Sequence, residues 1–114
     1  FPNQTFAQYT TYLDRVQIGF FFLMGGGATP EAAGGNWLTG MRSNLSGLNG
    51  SLPNFRSYMA WGNSHCVTDT PDFYTYQVNG TRLRDWVADL AANQPPRIVN
   101  CTECTAPELY TPSR

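Results

Sequence analysis

Lysine is absent from this chain, and all seven basic residues are arginines. They are balanced by eight carboxylates to a formal net charge of -1, which gives no electrostatic reason to expect a nucleic-acid or anionic-membrane partner. Long apolar runs are missing too. The longest, Ile18 to Met24, is a fraction of the roughly 20 residues that a membrane-spanning helix requires, so no membrane span is expected. No Gly-Lys-Ser/Thr follows the triplet Gly25-Gly26-Gly27, which itself follows a helical run, so the triplet is not a phosphate loop. G-x-S-x-G is also absent; the nearest stretch, Gly62-Asn-Ser-His-Cys66, lacks the second glycine and the strand-to-helix elbow that exposes a nucleophilic serine. Ser64 therefore reads as a turn residue. Histidine occurs once, so any imidazole chemistry rests on His65.

Cysteine is scarce, with three in the chain. Cys101 and Cys104 are spaced for a small disulfide loop in an oxidising compartment. That leaves Cys66 free, buried as a small hydrophobe, or paired outside the chain. His65, Cys66, Cys101 and Cys104 could be counted as four zinc ligands, but adjacent His and Cys side chains rarely converge on one ion and only one C-x-x-C is present. No metal and no cofactor are expected. A redox role for Cys101-x-x-Cys104 is weaker still, because the motif sits in a polar tail where nothing lowers a thiol pKa. A Cys66–His65 nucleophile pair is disfavoured, since neighbouring residues on an extended loop point apart.

What is present is enough for one small domain at most, 114 residues rich in aromatics. N-x-Ser/Thr sequons at Asn3, Asn44, Asn49, Asn79 and Asn100 take five of the nine asparagines and point to a secreted, extracellular glycoprotein. The chain opens on Phe-Pro-Asn, from which a processed or truncated N-terminus is expected.

In chain order, Phe6 to Thr10 reads as a strand, and Asp14 stands immediately before a helical run, Arg15 to Met24, where it suits an N-cap. Val16, Phe20 and Leu23 share one face, widened by Ile18, Phe21 and Phe22, and so broad a band implies packing on more than one side. Thr29-Pro30-Glu31 starts a second helix, weak through Gly34 and Gly35, with Trp37, Leu38, Met41, Leu45 and Leu48 as its core stripe. Gly47, Asn49, Gly50 and Pro53 are expected to break it. Phe55 to Trp61 then alternates as a strand, with Phe55, Ser57, Met59 and Trp61 on one face, and runs through a Gly-Asn-Ser turn into His65 and Cys66. Phe73 to Val78 alternates like a further strand or extended arm, and Asn79-Gly80 marks a tight turn. Thr81 is placed to cap an amphipathic helix with Leu83, Trp86, Val87 and Leu90 at i, i+3, i+4 and i+7, stopped by Asn93 to Pro96.

The order strand, acid, helix, helix, strand, histidine, arm, helix implies an α/β fold with a parallel sheet and helices on its faces. Two strands cannot complete such a sheet, since parallel sheets are buried on both faces, so residues 1–114 read as one segment of a larger domain. A lone histidine just past a strand is more often a hydrogen-bonding loop residue than a base; the acid and the strand order around it shift that balance.

Four segments, FAQYTTYLDRVQIGFFFLMGG (6–26), PNFRSYMAWGNSHCV (53–67), FYTYQVNGTRLRDWVADL (73–90) and NCTEC (100–104), resemble the C-terminal part of the pectin acetylesterase family of α/β-hydrolases. The resemblance implies the last parallel strands and flanking helices of an α/β-hydrolase, incomplete as a sheet on its own. It also implies a Ser-Asp-His triad with Asp14 as the acid and His65 as the base, in the order α/β-hydrolases show after their nucleophile. Asp69 and Asp72 are fallback acids, ranked lower because they follow His65 so closely. The serine and the oxyanion-hole loop would come from a companion chain or N-terminal segment, so the chain alone would be inactive. Carboxylic ester hydrolysis is the implied activity, on acetyl esters of a polysaccharide. The competing expectation is a non-catalytic secreted glycoprotein or binding module that keeps the hydrolase fold.

Overall fold

A computed structural model describes residues 1–101, and all structural statements concern these. Cys104 and the tail from Thr105 lie outside them. The chain is a mixed α/β structure built around a parallel strand pair, β1 (Phe6–Thr11) and β2 (Phe55–Ala60), in register from Phe6 opposite Phe55 to Thr11 opposite Ala60. Two helices, α1 (Arg15–Leu23) and α2 (Pro30–Ser51), form the crossover between them. The rest comprises one-turn α3 (Asp72–Thr75), the small antiparallel pair β3 (Gln77–Val78) and β4 (Thr81–Arg82), and α4 (Leu83–Ala91).

β2 is the central strand. On its far side Val99 pairs with it in parallel, its N–H donating to Ser57 O (2.9 Å) and its C=O accepting from Met59 N–H (2.8 Å). This third line of pairing was not expected from the sequence, although the β-branched pair Ile98-Val99 after Pro95-Pro96 is the signal for it. Both faces of β2 are covered. Ser57 accepts from the Asn49 amide on α2 (2.8 Å) on one face; on the other, the Tyr58 ring meets Trp86 of α4 edge-on at 5.5 Å.

Local chemistry explains the helix limits. Asp14 caps α1 with its carboxylate, and the helix ends where Gly25, at φ +88°, adopts the left-handed conformation; Gly25 N–H reaches Phe22 O and Gly26 N–H reaches Phe21 O. Thr29 caps α2 through Ala32 N–H, with Pro30 at the first position. α2 does not break at Gly47 or Gly50, as expected, but runs on to Ser51. The cost of a helical glycine, about 1 kcal/mol against alanine, is outweighed by burial of Met41 and Leu45 and by the Asn49–Ser57 bond. Pro53 sets the end by holding Leu52 in the extended region.

Two further expectations are corrected. The alternating stretch Phe73 to Val78 does not start as a strand: Pro71 at the N-cap and Asp72 in the first turn begin α3, and the strand is confined to Gln77 and Val78. That turn carries Phe73 and Tyr76, three residues apart, onto the core together. Thr81 does not cap α4, whose N-cap is Arg82 without a side-chain bond; the Thr81 hydroxyl instead accepts from Arg97 Nε at 2.8 Å.

The broad apolar band of α1 is covered on one side only. Ile18 is fully buried and Phe21 and Phe22 pack on the core, whereas Val16, Phe20, Leu23 and Met24 form an open stripe, Phe20 64 % and Leu23 78 % exposed. β1 likewise has an unpaired edge among the described residues. Phe6 and Tyr12 N–H point to β2, so by strand alternation the backbone groups of Ala7 and Tyr9 face outward. No helix among the described residues is long and apolar enough to cross a membrane.

Tyr9 of β1 and Tyr58 of β2 stand opposite each other in the register, their ring centroids 6.1 Å apart. Burial, followed by Tyr76 nearby, raises Tyr9 above the usual tyrosine range, and burial pushes Tyr58 up to about 12. Both hydroxyls are protonated when folded, and the unfolded chain loses those protons first as pH rises. Their contribution to stability is thus complete below about pH 10, the unfolded value, and is lost as pH rises from there, up to about pH 12 for Tyr58 and further for Tyr9. Absorbance at the tyrosinate band should show two late-titrating tyrosines, with alkaline unfolding in that window. Titration of all six near pH 10 would contradict the buried pair.

Candidate active site

Asp14 and His65 meet at the C-terminal ends of the two parallel strands. They come from opposite sides of a long crossover, and hydrogen bonds extending the β1–β2 pairing beyond the strands bring them together. Tyr12 N–H donates to Ala60 O (2.9 Å), Leu13 N–H to Gly62 O (3.0 Å) and Arg15 N–H to Asn63 O (3.1 Å). The fully buried Thr11 adds a side-chain tie, its hydroxyl donating to Ser64 O at 2.7 Å. Gly62, at φ +98°, makes the turn that lets the loop follow this path.

The Asp14 carboxylate is 6 % exposed and its acceptor capacity is well used. Oδ1 accepts from Val16 and Gln17 N–H, both at 3.0 Å, and the helix dipole favours negative charge at this end. His65 Nδ1 lies 2.8 Å from Oδ2 and 3.1 Å from Oδ1. A carboxylate has only acceptors, so Nδ1 carries the proton and donates, and Nε2 is left with its lone pair. The imidazole is 41 % exposed, and Nε2 has no hydrogen-bond partner among the described residues. The arrangement is an oriented imidazole: one nitrogen held by a fixed carboxylate, the other open and able to accept a proton.

The remaining candidates are dispersed. Asp69 and Asp72 make no ion pair with His65; Asp72 opens α3 and Asp69 is exposed. Ser64 buries its hydroxyl beside that of Tyr9, close enough to affect the phenol but without ordinary hydrogen-bond geometry for either group. Cys66 is exposed and in no disulfide among the described residues, which removes the buried alternative of the three. Cys101 is buried, and its expected disulfide partner Cys104 lies outside the described residues. Of the sequons, Asn3 and Asn44 are exposed; Asn79 and Asn100 are also exposed but linked, the Asn79 amide donating to Asn100 O. Asn49 differs, its amide nitrogen engaged inside the protein by Ser57 and its Oδ1 buried.

Sequence reasoning missed the scaffold of the histidine loop. Thr11 resembles any β-branched strand residue, and only the fold shows that its hydroxyl sets the Ser64 carbonyl. It also missed Trp61 as more than a strand residue: the indole is 51 % exposed and stands edge-on to the Tyr76 ring at 4.9 Å, at the same end of the strands as the Asp14–His65 pair. Compared with known proteins, the chain matches no protein-family model, no curated protein and no solved structure.

Proposed function

We propose that this chain supplies the acid and the base of a serine carboxylic ester hydrolase, with the nucleophilic serine carried by a companion chain or an N-terminal segment. The observation that carries the reading is the 2.8 Å contact between His65 Nδ1 and Asp14 Oδ2, with Nε2 open to solvent. In the reaction, Nε2 takes the proton of the serine hydroxyl as its oxygen attacks the ester carbonyl. The same nitrogen then returns that proton to the departing alcohol, and Asp14 stabilises the transient imidazolium. A water activated in the same way releases the acid. An acetylated polysaccharide as substrate, the C-terminal portion of an α/β-hydrolase as the fold and a secreted glycoprotein as the setting belong to the same proposal; they follow from the resemblance to pectin acetylesterases read in residues 6–26, 53–67, 73–90 and 100–104.

The open edge of β1 and the bare stripe of α1 are where the serine-bearing part would join the sheet, adding a strand next to β1 and covering Phe20, Leu23 and Met24. The test is fluorophosphonate labelling of natively purified material, followed by denaturing mass spectrometry. The expected result is a label on a serine outside these 114 residues, lost when His65 is replaced by alanine. Absence of label with the complete protein present would remove the esterase reading.

A further inference from the structure

We propose that Trp61 is the carbohydrate platform of this site, stacking the face of a sugar ring next to the ester that His65 acts upon; the proposal deepens, and rests on, the esterase reading above. Trp61 is the first residue past β2. The four residues before it, Ser57 to Ala60, are all buried, whereas half of the indole surface is open. Its backbone is set on both sides. Ala60 O, before it, accepts from Tyr12 N–H, and Gly62 O, after it, accepts from Leu13 N–H next to Asp14. The ring leans edge-on against Tyr76, itself 7 % exposed, at 4.9 Å and 75°. A Cβ at Gly62 would stand 3.2 Å from the Tyr76 hydroxyl at a positive φ, so glycine here lets that tyrosine approach.

These features make a rigid, open aromatic surface on the rim that holds the catalytic pair. Trp61 and His65 are four residues apart, so their Cα atoms are separated by no more than about 14 Å, within the span of a short oligosaccharide. Polar residues follow directly: Asn63 in the same turn, then Thr68 and Asp69, both exposed. A pyranose offers a weakly polar C–H face ringed by hydroxyls, which matches a flat, half-exposed indole at the start of a polar turn. A long acyl chain would need walls on several sides, and Trp61 provides one.

The experiment uses the complete protein, with Trp61→Ala and the conservative Trp61→Phe, on two substrates: an acetylated oligogalacturonide and 4-nitrophenyl acetate. Trp61→Ala should raise KM for the oligosaccharide about tenfold, and lower the ratio of kcat/KM on oligosaccharide to that on the aryl ester by a similar factor, with Trp61→Phe recovering most of the loss. An unmoved ratio would overturn the proposal. Affinity electrophoresis of the His65→Ala protein in soluble pectin separates this from the esterase reading. Retardation that disappears with Trp61→Ala supports the platform even if no ester is hydrolysed. Retardation that is absent, or insensitive to Trp61, removes the platform and leaves hydrolysis to be judged on the labelling result.

Discussion

On the proposed mechanism, replacing Asp14 by asparagine should lower kcat of the complete protein by about 10⁴-fold while changing its stability by less than about 1 kcal/mol. The two numbers separate because the carboxylate has two tasks that an amide performs unequally. As an N-cap, asparagine is as good as aspartate, and its Oδ1 can still accept from Val16 and Gln17 N–H. What is lost on that side is the charge at the helix dipole, a modest term. Towards the histidine the change is qualitative. With Oδ1 committed to the helix, the amide presents its NH₂ to Nδ1, and two donors cannot face each other. The imidazole responds by moving its proton to Nε2, which can then no longer accept one from a serine.

Asp14→Ala completes the comparison: it should lose the cap as well, about 0.5–2 kcal/mol, with a similar loss of turnover. His65→Ala should match the kinetic loss while leaving α1 capped and thermal stability nearly unchanged. Kinetics on an aryl acetate, paired with denaturant unfolding of each variant, check all three. Near-normal kcat in His65→Ala would remove His65 from the mechanism, and a kinetic loss that tracked stability across the series would make Asp14 only a cap.

The residues that meet in the site were legible in the sequence where their signals are local. Asp14 precedes an apolar helical run, as an N-cap does, and His65 follows a strand and a glycine turn. The alternation of Phe55 to Trp61 and the run of α1 place both elements within a residue or two of where they lie. Less legible was whatever depends on distant partners. Nothing near Thr81 shows that Arg97 takes its hydroxyl, so the cap reading was natural and wrong. Gly47 and Gly50 look like breakers until Met41, Leu45 and the Asn49–Ser57 bond are set against them. Phe73 to Val78 has strand alternation, yet Pro71 and Asp72 start a helical turn locally, and the packing of Phe73 and Tyr76 completes it. Trp61 was legible as a strand residue only, because exposure is a property of the fold and not of the residue.

The stripe on α1 gives the other large effect, and it should reverse sign with context. Val16, Phe20, Leu23 and Met24 fall at helical spacing on one side, exposed, while Ile18 on the other side is fully buried. A helix whose apolar band exceeds the surface offered to it either meets a further partner or leaves the stripe in water at a solubility cost. On the proposed assembly, the serine-bearing part of the enzyme buries it. Burying Phe20 and Leu23 contributes roughly 1.5–3 kcal/mol each, so the double substitution Phe20→Ser, Leu23→Ser should cost the complete enzyme about 3–6 kcal/mol. At about 2–4 °C per kcal/mol, the scale for a domain of about 150–250 residues, that is a fall of about 6–24 °C in Tm. In the 114-residue chain alone the same two changes replace solvent-facing hydrocarbon with hydroxyls, and should raise its soluble yield and reduce its self-association. Differential scanning calorimetry of the complete protein, and light scattering of the isolated chain, give the two readings. A mutation that merely damages α1 would harm both forms, and one on a surface that stays wet would leave the Tm of the complete protein unmoved. Destabilisation of the whole together with improved solubility of the part is the combination that requires α1 to be an interface.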